Sequence, residues 1–218
     1  TNWGSLNSET YAWEGSFISV IDLTSNTVMD SIKLDVQPQH VLAYNGRFYV
    51  SNVGGSTISV YDPATNGVIE TIEVSFGPDK MVVDVNDDIW VMCTSGALVK
   101  IDGETNEVEL TISEINGSGY NEKMVISEAG DVIYYVGTSA WPDATTFVYE
   151  LAITETAAPE SELISGEHFY GVGISNEVIY VTDHNAYQGN GFVHRFGLDG
   201  AEINTFAAGR IPSGFIFR

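Results

Sequence analysis

Cysteine and positive charge are the two things this sequence has least of. Cys93 is the only thiol and there are only eight lysines and arginines among 218 residues. The single cysteine excludes an intrachain disulfide, and in the run Trp90-Val91-Met92-Cys93 it reads as a small buried hydrophobe. With 30 acidic residues the formal charge is −22, and no basic cluster is present to neutralise phosphates, which argues against a nucleic-acid surface. No apolar run reaches the length of a membrane helix. The opening Thr1-Asn2-Trp3-Gly4 lacks the basic and apolar regions of a signal peptide. The acidity does not imply disorder, because 44% of the residues are hydrophobic and 11% aromatic, enough to build a core.

What the chain does have is a repeat. Ile18-Ser19-Val20-Ile21-Asp22, Ile58-Ser59-Val60-Tyr61-Asp62 and Leu98-Val99-Lys100-Ile101-Asp102 place their aspartates forty residues apart. Four residues after each comes Asn26, Asn66 or Asn106, and then a second short strand, Val28 to Ile32, Val68 to Ile72 and Val108 to Ile112. Asp and Asn turn the chain by bonding nearby backbone amides, so each unit reads as a hairpin. Two further strands precede each hairpin. The first begins at Pro38, Pro78, Asn121 and, more loosely, near residue 169; the second is centred on Phe48-Tyr49-Val50, Trp90-Val91-Met92, Ile133-Tyr134-Tyr135 and Ile179-Tyr180-Val181.

Four short strands every forty residues predict an all-β fold of the β-propeller type, with four-stranded antiparallel blades over 38–73, 78–112, 121–164 and 169–206. Residues 17–33 supply only the last two strands of a blade, and Ile211 to Phe217 reads as one more innermost strand. The expectation is a partial propeller domain over 1–218, about four and a half blades, with its N-terminal blades outside this chain. A two-sheet sandwich is the alternative, but it gives no reason for the period.

The segments Val60-Tyr61-Asp62-Pro63-Ala64-Thr65-Asn66 and Tyr49-Val50-Ser51-Asn52 resemble the YVTN/YncE-like β-propeller repeats. The ending Gly209 to Phe217 is similar to that of surface lipoproteins of the Bacteroidetes, a group that includes the BtuG-type cobalamin-binding proteins. The resemblance implies a seven- or eight-bladed ring at the cell surface or in the periplasm. It also implies an outer-membrane lipoprotein anchored through an N-terminal region outside this chain, and ligand capture, with cobalamin the concrete ligand and an outer-membrane transporter the partner.

Several long, aromatic loops open on one face, and loops on a rigid scaffold are natural recognition elements. They nominate Tyr11, Trp13, Tyr120, Trp141, His184 and Tyr187 as ligand-binding residues. Aligned starts of the innermost strands place His40, Lys80, Lys123, Gly171 and Gly214 at equivalent positions near the central opening, with Arg210 just before the last copy. Donors gathered there would attract carboxylate or phosphate groups to a very acidic protein. A small polar ligand or a corrinoid is therefore the expected partner.

Catalysis finds no motif: there is no nucleophile elbow, no His-x-x-x-His pair and no phosphate loop. The four histidines, His40, His168, His184 and His194, fall in different repeats. Asp84, Asn86, Asp87 and Asp88 do not have EF-hand spacing and read as a solvated turn. No enzyme, resident cofactor or metal is expected. The alternative to ligand capture is a protein-interaction scaffold, with a carbohydrate-active enzyme behind it.

Overall fold

The structure, a computed structural model, describes residues 1–116, 123–138 and 145–217. Six antiparallel sheets follow one another along the chain. A small hairpin, β1 (Ser5–Leu6) with β2 (Trp13–Glu14), precedes the two-stranded sheet of β3 (Phe17–Asp22) and β4 (Thr27–Lys33). Four four-stranded sheets then run in sequence order. The first holds β5 (Pro38–Tyr44), β6 (Arg47–Asn52), β7 (Thr57–Asp62) and β8 (Gly67–Glu73). Next come β9 (Pro78–Val83), β10 (Ile89–Cys93), β11 (Ala97–Ile101) and β12 (Val108–Ser113). The third has β13 (Met124–Ile126), β14 (Val132–Thr138), β15 (Thr145–Ala152) and β16 (Ile164–Glu167). The last has β17 (Phe169–Ser175), β18 (Val178–Asp183), β19 (Phe192–Gly197) and β20 (Glu202–Ala207).

Each core cluster is shared by two consecutive sheets. Tyr49, Ile58 and Val60 of the first four-stranded sheet pack on Ile89, Val91 and Val99 of the second. Trp90, Met92 and Leu98 of that second sheet face the other way, onto Ile133, Tyr135 and Leu151. The third sheet turns Tyr134, Val136 and Val148 toward Phe169, Ile179 and Val181. Alternation along a strand sends neighbouring side chains to opposite faces. Strand β10 is therefore buried at all five positions, with one set of residues for each adjacent sheet. First strands touch first strands, β5 with β9, β9 with β13 and β13 with β17. The result is an arc of sheets whose inner edges meet, a propeller-like all-β arrangement.

The repeat residues do more than turn the chain. Asp22, Asp62 and Asp102 each accept the N–H of the residue two further on, Thr24, Ala64 and Glu104, at 2.7, 2.7 and 3.0 Å. Asn26, Asn66 and Asn106 adopt left-handed backbone angles, φ 53°, 53° and 63°, which asparagine tolerates better than most residues. Their side chains also tie sheet to sheet. The Asn66 amide donates to Asp30 of the preceding sheet at 2.7 Å, and Asn106 donates to Glu70 at 2.6 Å, both pairs 36 residues apart. Asn106 also accepts the Tyr49 hydroxyl at 2.8 Å.

Two sequence expectations change. The turn at residues 84–88 is not solvated at its base: Asp84 and Asp88 are buried. The Asp84 carboxylate accepts N–H groups of Asn86 and Asp88 and the Trp90 indole, at 2.8, 3.0 and 2.9 Å. Lys100 neutralises Asp88 at 2.6 Å. Ile211 to Phe217 forms no ladder, because no second strand is paired with it. It still lies along β17 and β18 like an inner strand: a Cβ at Gly171 would strike the Ser213 carbonyl, and Phe217 packs 5.1 Å from Tyr180. Asn2 bridges Phe17, as Asn52 pairs with Thr57, so Thr1-Asn2 occupies the place of a second-strand end.

Replacing Asn106 with Ala removes its hydrogen bonds to Tyr49 and Glu70 and should cost about 1–3 kcal/mol in urea unfolding. A loss below a few tenths would show that the tie between sheets is not made. Burial, aided by Asp79, pushes the Cys93 thiol up to about 12. Ellman's reagent at pH 8 should therefore label Cys93 only after unfolding, and rapid labelling of the native protein would contradict its placement in the core.

Candidate functional site

The inner edges of the four larger sheets surround one cleft of about 480 Å³. Its walls are apolar: Val41 and Ala43 of β5, Val83 of β9, Val125 of β13, Val172 and Ile174 of β17, and Phe215 and Phe217 of the C-terminal segment. His40 and Lys80 are its two basic side chains, and they come from equivalent positions of neighbouring strands. A depression of similar size, about 530 Å³, lies beside residues 150–160 but contributes Glu150, Glu155 and Glu160 and no donor side chain. An apolar cleft with a few convergent donors has the form of a ligand site.

A recurring irregularity places the donors. In β5 the pairing with β6 jumps between Pro38 and Val41; in β9 the pairing with β10 jumps between Pro78 and Met81; in β17 it jumps between Phe169 and Gly171. Each is a β-bulge, which adds a residue and re-aims the side chains beside it. The residue before each strand is left-handed, Gln37, Gly77 and His168, with φ 55°, 74° and 60°. Hydroxyls satisfy the displaced amides: Ser51 accepts His40 N–H at 3.0 Å, and Thr182 accepts Gly171 N–H at 2.8 Å. Ile211, φ 49°, stands in the same relation to Pro212.

Where the third and fourth sheets meet, rings cluster. His184 stacks on Tyr187 with centroids 4.1 Å apart and an interplanar angle of 22°. His168 lies 5.3 Å and Tyr170 5.4 Å from the His184 ring. The stack rests on a turn in which Asn185, Ala186 and Tyr187 are all left-handed, with φ 49°, 50° and 61°. Such residues cost about 1–2 kcal/mol each when they carry a side chain. Asp183 holds the turn by accepting Asn185 N–H at 2.6 Å, and the Asn185 amide reaches the carbonyls of Gln188 and Asn190.

Burial, the neighbouring His168 and, more weakly, Lys123 lower the pKa of His184 against the opposing pull of Asp183. Lys123 is itself buried, and burial lowers its pKa. The fourth histidine is structural: His194 is edge-on to Phe169 at 5.7 Å and bonds Thr205 at 2.8 Å.

The nominated residues thus divide. His40 and Lys80 line the cleft, His184 and Tyr187 stack on each other beside β17 and β18, and Lys123 is buried immediately before β13. Trp13 is turned to Trp3, edge-to-face at 5.4 Å, within the small β1–β2 hairpin. Tyr11 is 79% exposed and Arg210 is exposed outside the cleft lining. Tyr120 and Trp141 lie outside the described residues. Sequence reasoning passed over His168 and Tyr170. Tyr170 stands one residue ahead of the aligned His40–Lys80–Lys123–Gly171 column, at the bulge, so reading that neighbouring column would have found it. No group of three His, Cys, Asp or Glu side chains able to hold a metal occurs among the described residues. No helix among them is long and apolar enough to cross a membrane.

Comparison with known proteins gives a family and a fold. The family described as "Domain of unknown function (DUF5074)" matches residues 3–209. No curated protein matches significantly. Among solved structures, one of hydrazine synthase from Kuenenia stuttgartiensis is similar, with TM-score 0.72 and 15% sequence identity over 88% of this chain. The match spans 60% of that protein's chain. At this identity the likeness shows the all-β, propeller-like fold alone.

Replacing Ala186 with Gly removes the steric cost of one left-handed residue, partly offset by the greater freedom of glycine in the unfolded chain. The substitution should raise stability by roughly 0.5 kcal/mol in urea unfolding. A destabilised variant would contradict the left-handed turn.

Proposed function

The chain belongs to this family of domains of unknown function, and from the geometry of its cleft we propose that it is a non-catalytic, ligand-capturing module. The observation that carries the reading is the meeting of four inner strands around one apolar-walled cleft with His40 and Lys80 among its lining. The apolar walls suit the hydrocarbon faces of a ligand, and the two donors suit its amide, phosphate or carboxylate oxygens. The cleft volume of about 480 Å³ lies within the range of small-molecule sites. A ligand larger than the cleft would extend over the loop after β18, where Tyr187 is exposed.

In this reading the sheets are consecutive blades of a larger ring of the YVTN/YncE-like type, in a protein of the bacterial surface. Cobalamin is the first ligand to test. It combines an apolar macrocycle edge with amides and a phosphodiester, the mixture the cleft and its donors suit. The resemblance to cobalamin-binding surface lipoproteins, not the cleft alone, supplies that identity and the outer-membrane transporter as recipient.

Calorimetric titration of the purified protein with cobalamin, beside an anionic glycan and a peptide, tests the proposal. Cobalamin should bind, and His40→Ala or Lys80→Met should each weaken it about tenfold, the worth of one charge-assisted hydrogen bond. A folded protein that binds no cobalamin removes this ligand. Binding indifferent to both substitutions moves the site elsewhere, and binding of the peptide alone favours an interaction scaffold.

A further inference from the structure

We infer that His168 and His184 form an open binding site for a borderline divalent metal ion, of the zinc, nickel or copper type, at the end of the sheet where β17 begins and β18 ends. The site is separate from the cleft proposed to capture the ligand, and neither depends on the other.

The backbone brings the two residues together. Phe169 pairs with Asp183 across β17 and β18, and one step further the His184 N–H donates to the His168 carbonyl at 3.1 Å. Directly opposed residues of an antiparallel pair carry their side chains on the same face. The two imidazoles lie with ring centroids 5.3 Å apart and planes inclined at 44°. Zinc–nitrogen bonds of about 2.0–2.1 Å put each ring centre about 3.2 Å from the metal, so two imidazoles on one tetrahedral centre sit about 5 Å apart. The observed spacing meets that requirement.

The surroundings hold one ring in place and keep it ready to bind. His184 is stacked on Tyr187 at 4.1 Å and met edge-on by Tyr170 at 5.4 Å, so packing fixes its orientation. Burial, and then the neighbouring His168, lower its pKa, which keeps the imidazole in the neutral form that coordinates metal. The backbone on both sides is in a costly conformation: His168 is left-handed at φ 60°, as are Asn185, Ala186 and Tyr187 after His184. Strained residues of this kind persist where the surrounding structure over-determines them, and they concentrate at functional sites.

The chemistry of the pair selects the ion. A chain of net charge −22 attracts cations in general. Imidazole nitrogens favour zinc, nickel and copper, whereas calcium and magnesium take oxygen ligands. Among the described residues no third His, Cys, Asp or Glu completes a metal-binding set. Two protein nitrogens leave coordination positions for water, which makes the site an open one.

NMR of the four histidine rings, in protein without an affinity tag, tests the site. Zinc should shift the His168 and His184 resonances saturably and together, while His40 and His194 serve as unmoved internal references. Magnesium at the same concentration should move none of them. Copper(II), which broadens signals close to it, should erase the same two rings first in the unaltered protein, a readout that needs no variant. His168→Gln or His184→Gln should each weaken zinc binding at least about tenfold and reduce the rise in melting temperature that zinc gives the parent. The inference is overturned if zinc moves neither ring at millimolar concentration, if it moves His40 or His194 first, or if magnesium matches it. It is overturned equally if either variant binds zinc as the parent does. Cobalamin binding is scored on separate samples. Its absence with zinc binding intact removes the corrinoid alone, and its presence without zinc binding removes the metal site alone.

Discussion

A sheet of four short strands with apolar side chains on both faces cannot bury either face by itself, and everything else in this molecule follows from that constraint. Strand β10 shows it most directly. Ile89, Val91 and Cys93 need one neighbour, while Trp90 and Met92 need another. The sheets therefore stack in chain order, each core is shared by two of them, and the first strands are brought edge to edge around a common cleft. The Asn–carboxylate bonds from Asn66 to Asp30 and from Asn106 to Glu70 repeat the contact at the outer strands, so successive sheets keep the same relation.

Stacking also decides where function can sit. Residues between sheets are committed to packing, which leaves the inner edges and the loops. At the inner edges the bulge that opens β5, β9 and β17 breaks the regular alternation and re-aims side chains at one end of the cleft. Hydroxyls of Ser51 and Thr182 compensate the amides displaced by the bulge, so the distortion is supported locally. The acidic surface elsewhere makes the few buried or half-buried cations at this end more consequential, since a ligand anion is repelled almost everywhere else.

Much of the fold was legible in the sequence because its determinants are local and repeated. Asp62 and Asn66 mark a turn by chemistry that acts within five residues, and the forty-residue period carried strand positions across the whole chain. The site was legible only in part. Aligning strand starts found His40, Lys80 and Lys123, because equivalent positions on equivalent strands must lie at one end. The ring cluster was not legible as a unit, since His168 and His184 are brought together by the return of β18 beside β17, and the left-handed turn under Tyr187 contains no glycine to announce it. Trp13 misled for a related reason: an aromatic in a long loop looks available until its partner, Trp3, is seen 5.4 Å away.

The central claim is that this acidic protein concentrates its anion-binding capacity at the inner-strand end of the cleft. Anomalous diffraction from crystals soaked in selenate, an oxyanion that reveals its own position, addresses it without reference to any particular ligand. The account predicts anomalous density at the inner-strand end of the cleft, between His40 and Lys80. Density confined to Arg47, Arg195 or Arg210, with none at the inner-strand ends, would contradict it.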